Sequence, residues 1–220
     1  STGTGGTGGA PSGGPYKVVL ITGDAAHPND PSRVDMIALL KAMGPTHNVV
    51  MEEIAANAVK ASAMADKHLI IAGPNGNYFS VQPDPGLKTL AVPIIVSKDG
   101  NTVGYGIGRP AASSADQNKI TIMKADHPLA AGLTGTINVL TTAAAQRIIY
   151  WQNLSPAAIQ IATGPAMGGP TIFVYEKGAD MGGGNMAPAK RMGFFWHRPA
   201  GPTAEGKKLF IAAVEWMLKP

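Results

Sequence analysis

The sequence predicts one α/β domain with a central, mostly parallel sheet. Two observations carry this. Apolar runs that end in a turn residue recur at 16–23, 67–73 and 92–97, and segments of helical composition alternate with them through the first hundred residues. The composition agrees, because 45% of the 220 residues are apolar and 15% are charged, enough for a core and too little charge for a disordered chain.

Residues 1–15 read STGTGGTGGAPSGGP, with no side chain able to build a core. This composition predicts a flexible linker, which leaves residues 16–220 as the domain. Such linkers commonly join modules of secreted bacterial proteins, so adjacent domains of a longer precursor are the expected partners and the secreted or cell-envelope compartment the expected location. Tyr16 to Gly23 (YKVVLITG) has the continuous apolar character of a strand buried on both faces. The loop after it carries Asp24, His27 and Asp30. Ser32 is a plausible N-cap for a helix through Met43, with Val34, Ile37, Ala38 and Lys41 at helical spacing and Gly44 as its stop. A short strand is expected over 47–51, a helix over 55–65, a third strand over 67–73, a short helix ending near Leu87 and Lys88, and a fourth strand over 92–97.

The second half is richer in strands, at 119–123, 137–140, 147–150, 158–162, 171–176 and 190–196, with a glycine-rich loop over 178–184. Thr203 fits as N-cap of a closing helix to Leu218, whose apolar stripe is Leu209, Phe210, Ala213, Trp216 and Met217. In a parallel sheet the loops at the carboxyl ends of the strands form the ligand crevice. Here those ends are Gly23-Asp24, Gly73-Pro74-Asn75 and Ser97-Lys98-Asp99.

Several function classes recede on composition. Zero cysteines exclude disulfides, thiolate metal ligands and a cysteine nucleophile. The net charge is +4 but the Lys and Arg residues are scattered, so no nucleic-acid footprint is expected. No apolar run approaches the roughly 18 residues of a membrane span.

The phrases KVVLITGDAAHPND, HLIIAGPNG, VPIIVSKDG and ADHPLAAGLTG, with the end AKRMGFFWH…TAEGKKLFIAAVEWML, resemble the ThuA-like (trehalose-utilisation) family of the class I glutamine-amidotransferase-like superfamily. The resemblance covers about residues 16–218. It implies a flavodoxin-like three-layer sandwich and a carbohydrate-related setting. In the superfamily's glutaminases a cysteine sits on a tight turn after a strand, and a later His and Glu complete a triad. The turn that resembles it here is Ser97-Lys98-Asp99. Gly193 to Pro199 resembles the Gly-x-x-x-His-Pro-Glu context of the catalytic histidine, which sets His197 at the base position. Position 199 is Pro, so the orienting acid is missing along with the thiol, and glutamine hydrolysis through a thioester is excluded.

Two readings of the remaining polar residues stay open. Ser97 and His197 are candidate catalytic residues of a hydrolase, or a turn residue and a satisfied polar group at a strand end. Asp24 and His27 are candidate ligand contacts, with metal binding by Asp24, His27 and Asp30 weighed and set aside as ordinary turn chemistry. No metal or cofactor is expected. Asn75, Asn77 and Tyr78 suit a hydroxyl-rich ligand by hydrogen bonding and stacking, and they equally suit a turn. His127, in Asp126-His127-Pro128-Leu129, reads as a turn residue before a short helix. Trp151 beside Tyr150 reads as core more readily than as a sugar platform. The expected function is an accessory module that recognises carbohydrate, with an enzyme acting on a sugar or small polar substrate through His27, Ser97 and His197 as the alternative.

Overall fold

A computed structural model describes residues 14–23, 30–73, 84–97, 102–105, 107, 111–115, 117–142, 148–164, 168–197 and 201–220. The first strand, β1 (Tyr16–Thr22), is followed by helix α1 (Pro31–His47), β2 (Val49–Ala55), β3 (Leu69–Ala72) and β4 (Ile94–Val96). Then come β5 (Ala111–Ala115), β6 (Lys119–Ile122), β7 (Thr136–Asn138), β8 (Ile148–Gln152), β9 (Ile159–Thr163), β10 (Pro170–Tyr175), β11 (Arg191–Gly193) and the closing helix α2 (Ala204–Leu218).

Among the described residues nine strands form one sheet in the order β2-β1-β3-β4-β11-β10-β9-β6-β7, and β5 pairs with β8 in a separate ribbon. The α/β class stands. The sheet, however, is mixed rather than mostly parallel. β2, β1, β3, β4 and β11 run parallel, whereas β10, β9, β6 and β7 are each antiparallel to the neighbour before them. The connection from β9 to β10 is short enough for a hairpin and far too short for a parallel crossover.

The inner parallel strands β1, β3 and β4 are apolar on both faces because both faces are covered. On one side Val18, Leu20, Leu69 and Ile71 pack against Met36 and Leu40 of α1 and Leu209 and Phe210 of α2. On the other side Val19, Ile21, Ile70 and Val96 pack against Val59, Met64, Leu87, Tyr105 and Trp151. Among the described residues that second layer contains 3-10 turns and the β5–β8 ribbon instead of α-helices. The helix expected over 55–65 is replaced by two such turns, Ala56–Ala58 and Ala61–Met64. Eleven alanine-rich residues are below the length at which a helix holds by itself. Here the Asp84 carboxylate fixes the alternative by accepting from Ala61 N at 3.2 Å and Gly86 N at 2.9 Å.

α1 also differs from expectation. Its N-cap is Asp30, whose carboxylate accepts from Ser32 N at 2.9 Å, with Pro31 in the first turn, where its missing N–H is no loss. Ser32 is buried and donates its hydroxyl proton to Asp30. The helix runs past Gly44 to His47 and ends on Asn48, which holds the left-handed conformation at φ 53°. Its buried stripe is Ser32, Met36, Leu40 and Met43, one position out of phase with the expected one, and Val34 is 47% exposed. α2 follows expectation: Thr203 Oγ1 accepts from Gly206 N at 3.1 Å, and Leu209, Phe210, Ala213 and Met217 are buried.

Arg191 is the least expected core residue. It is completely buried on β11. Its guanidinium donates to the carbonyls of Val92 at 2.8 Å and Leu90 at 2.7 Å, with longer bonds to Lys190, Ala189 and Leu87. Burial lowers its pKa to about 10, which leaves it cationic at neutral pH. The side chain thus solvates the chain leading into β4.

Candidate functional site

Because β1, β3, β4 and β11 are parallel neighbours, their carboxyl ends lie together at one end of the sheet. Gly73 leaves β3 by donating its N–H to Ile21 O at 2.9 Å, and Ser97 leaves β4 by donating to Ala72 O at 2.9 Å. Glycine suits position 73, since a Cβ there would crowd Leu20 Cδ1 at 2.9 Å and Ile21 O at 3.0 Å. The candidate ligand residues Asp24, His27, Asn75, Asn77 and Tyr78 lie outside the described residues.

Ser97 and His197 are both within the described part, at the ends of adjoining strands: Val96 of β4 pairs with Gly193 of β11, and Phe194 N donates to Val96 O at 2.9 Å. Ser97 is completely buried and its hydroxyl donates to the carbonyl oxygen of Trp196. His197, the next residue, is 5% exposed. A serine nucleophile must pass its proton to a base. In this arrangement the proton is held by a main-chain carbonyl, and the hydroxyl ties β4 to the segment that follows β11.

A charged group that the sequence reading missed stands at the same end. Glu53 of β2 accepts from Arg33 Nε at 2.5 Å and from a second guanidinium nitrogen at 2.6 Å, and from Thr22 Oγ1 at 2.8 Å. Burial pushes its carboxyl pKa up, but the bonds from Arg33 and Thr22 outweigh this and hold it below the usual value. Both oxygens are engaged, so Glu53 serves as an anchor for the first turn of α1. The signal was present in the sequence as an acidic pair, Glu52-Glu53, in an otherwise apolar strand.

The other histidines among the described residues, His127, His47 and His68, have structural roles. His127 caps the turn Pro128–Ala130 by accepting from Leu129 N at 3.2 Å, and its ring packs on Trp216 at 5.7 Å. Desolvation lowers its pKa, which suits an acceptor that must stay neutral. His47 closes α1 and bonds Glu215 of α2 at 2.6 Å. His68 accepts from Lys17 N at 3.0 Å. Trp151 is buried edge-on against Phe173 at 5.2 Å, as core. Among the described residues no group of three His, Asp or Glu side chains is placed to hold a metal ion, and no helix is long and apolar enough to cross a membrane.

No family model matches the sequence, and no curated protein matches it. Among solved structures, a ThuA-like protein from Bacteroides uniformis superposes with a TM-score of 0.63 at 8% sequence identity. The match covers 96% of this chain and 95% of that one. The two share a fold. The ThuA-like resemblance of the sequence therefore holds at the level of architecture, over nearly the whole of both chains.

Proposed function

We propose that the chain is a binding module, accessory to a larger secreted bacterial protein, carbohydrate-related and without glutaminase activity. The observation that carries this reading is the Ser97 hydroxyl, buried and donating to the Trp196 carbonyl at the position where the resembled enzymes carry their nucleophile. The absent cysteine, Pro199 in the place of the orienting acid and the Gly/Thr/Ser/Pro composition of residues 1–15 support it. The flavodoxin-like reading of the fold rests on the order β2-β1-β3-β4-β11, which follows the doubly wound 2-1-3-4-5 pattern with β11 in fifth place. The antiparallel strands are then an extension of that core.

A hydrolase using His27, Ser97 and His197 is the second reading. It is favoured by the adjacency of Ser97 and His197 on neighbouring strand ends. One experiment separates the two. The full chain is assayed for ammonia release from glutamine and for hydrolysis of nitrophenyl glycosides and esters, and is titrated in parallel with a panel of oligosaccharides. Saturable binding without turnover supports the module. Turnover that disappears in both Ser97→Ala and His197→Ala establishes the hydrolase instead.

A further inference from the structure

A cleft of about 650 Å³ opens on the antiparallel half of the molecule. Its size falls within the roughly 300–1,000 Å³ typical of small-ligand sites. It is formed where the end of β8 crosses β9 and the start of β10, and neither Ser97 nor His197 lines it. Gln160 is in register with Phe173, and Phe173 packs on Trp151 in the core layer opposite α1 and α2. Paired residues share a face, so the cleft lies on the face away from the two helices.

The framework is preformed. A Cβ on Gly169 would stand 1.9 Å from the Trp151 carbonyl oxygen, so the two backbones touch and only glycine fits. Thr163 Oγ1 donates to Gly169 O at 2.8 Å, locking the β9–β10 end. Asn153 holds φ 58°, which fixes the turn out of β8. Preorganisation of this kind lowers the ordering cost of binding.

The chemistry of the lining is distinctive. Gln152, Asn153 and Gln160 present three exposed carboxamides, and none makes a side-chain hydrogen bond among the described residues. Each offers two donors and an acceptor without charge. No described lining residue is ionisable. Met123, 64% exposed, adds an apolar surface beside the amides. Uncharged groups that donate and accept in pairs, next to an apolar wall, match a neutral ligand dense in hydroxyls with C–H faces between them. Trp151, which lines the cleft, is fully buried, and its indole N–H has no acceptor among the described residues. It is a natural fluorescence reporter.

We infer that this amide cleft is the binding site for a neutral oligosaccharide. The assignment rests on the binding-module reading and places its ligand on the antiparallel half instead of the strand-end crevice. The test titrates the full chain with maltohexaose, cellohexaose and xylohexaose, and with hexagalacturonate as the charged control, by calorimetry and tryptophan fluorescence. Gln160→Met keeps the side-chain length and removes the amide. Asn153→Gly removes the amide and still accommodates the positive φ. Both positions are exposed, so both variants are expected to fold. A neutral hexasaccharide should bind, and each variant should weaken it by about 2–10-fold, the effect of one lost hydrogen bond. Binding that both cleft variants leave intact overturns the cleft assignment and spares the module reading. Preference for hexagalacturonate overturns the neutral class. Failure of the wild-type chain to bind any of the four overturns the module reading itself.

Discussion

The parallel and antiparallel halves of the sheet treat their polar groups in opposite ways. In the parallel half, buried polar side chains are spent on the backbone: Ser97 on the Trp196 carbonyl, Arg191 on the chain entering β4. Where the antiparallel half meets the β5–β8 ribbon, Gln152, Asn153 and Gln160 stand exposed with their amides uncommitted. The difference follows from coverage. A strand layered on both faces must satisfy each polar group internally, whereas the antiparallel strands leave one face partly open to water. Groups held by the fold serve stability, and uncommitted groups on a rigid frame are available to a ligand.

The sharpest way to break this contrast is at Arg191. Arg191→Met should cost about 3–5 kcal/mol, because it leaves several buried carbonyls without a donor. Urea denaturation should show the midpoint collapse, and Arg191→Lys should rescue little, lacking the planar fork. A change near zero would mean that the guanidinium is not solvating that chain. Gly169→Ala comes next. Overpacking against the Trp151 carbonyl should cost about 1–3 kcal/mol, and saccharide binding should fall with it if the cleft depends on that contact.

Ser97→Ala should destabilise by about 1 kcal/mol, the net worth of the hydrogen bond it loses to the Trp196 carbonyl. The binding reading expects saccharide affinity to survive this change, and a loss of catalytic turnover would move the molecule to the hydrolase reading. The smallest effect belongs to Glu53. Its folded pKa is lowered from an ordinary value of 4.5. The stability it contributes is therefore fully present above the unfolded value and is lost as pH falls through the folded one. Glu53→Gln should flatten the acid limb of thermal stability below about pH 4.5 and alter Tm at neutral pH by only a few degrees, as suits a half-exposed pair worth about 1 kcal/mol. An unchanged acid limb would remove Glu53 as its source.

Much of the fold could be read from one sequence, and the reasons are local. β1, β3 and β4 announce themselves because burial on both faces demands an unbroken apolar run. α2 was legible to its first residue, since Thr203 is a cap that the helix needs. β5, with the sequence AASSA, has neither an apolar run nor alternation, and only pairing with β8 makes it a strand. The phase of α1 was misplaced by a capping choice: Asp30 and Ser32 both suit an N-cap, and the depth to which Ser32 is buried decided between them.

The candidate sites divide along the same line. The sequence determined what chemistry is available: no thiol, no acid two residues beyond His197, and a scatter of Asn and Gln. It also determined the α/β class, because the alternation of apolar periods is a property of the chain alone. Strand direction, the burial of Arg191 and the convergence of Gln152, Asn153 and Gln160 around one cleft were decided only by tertiary structure. Gln152 and Asn153 reach Gln160 through strands on two different sheets, and no spacing along the chain encodes that meeting.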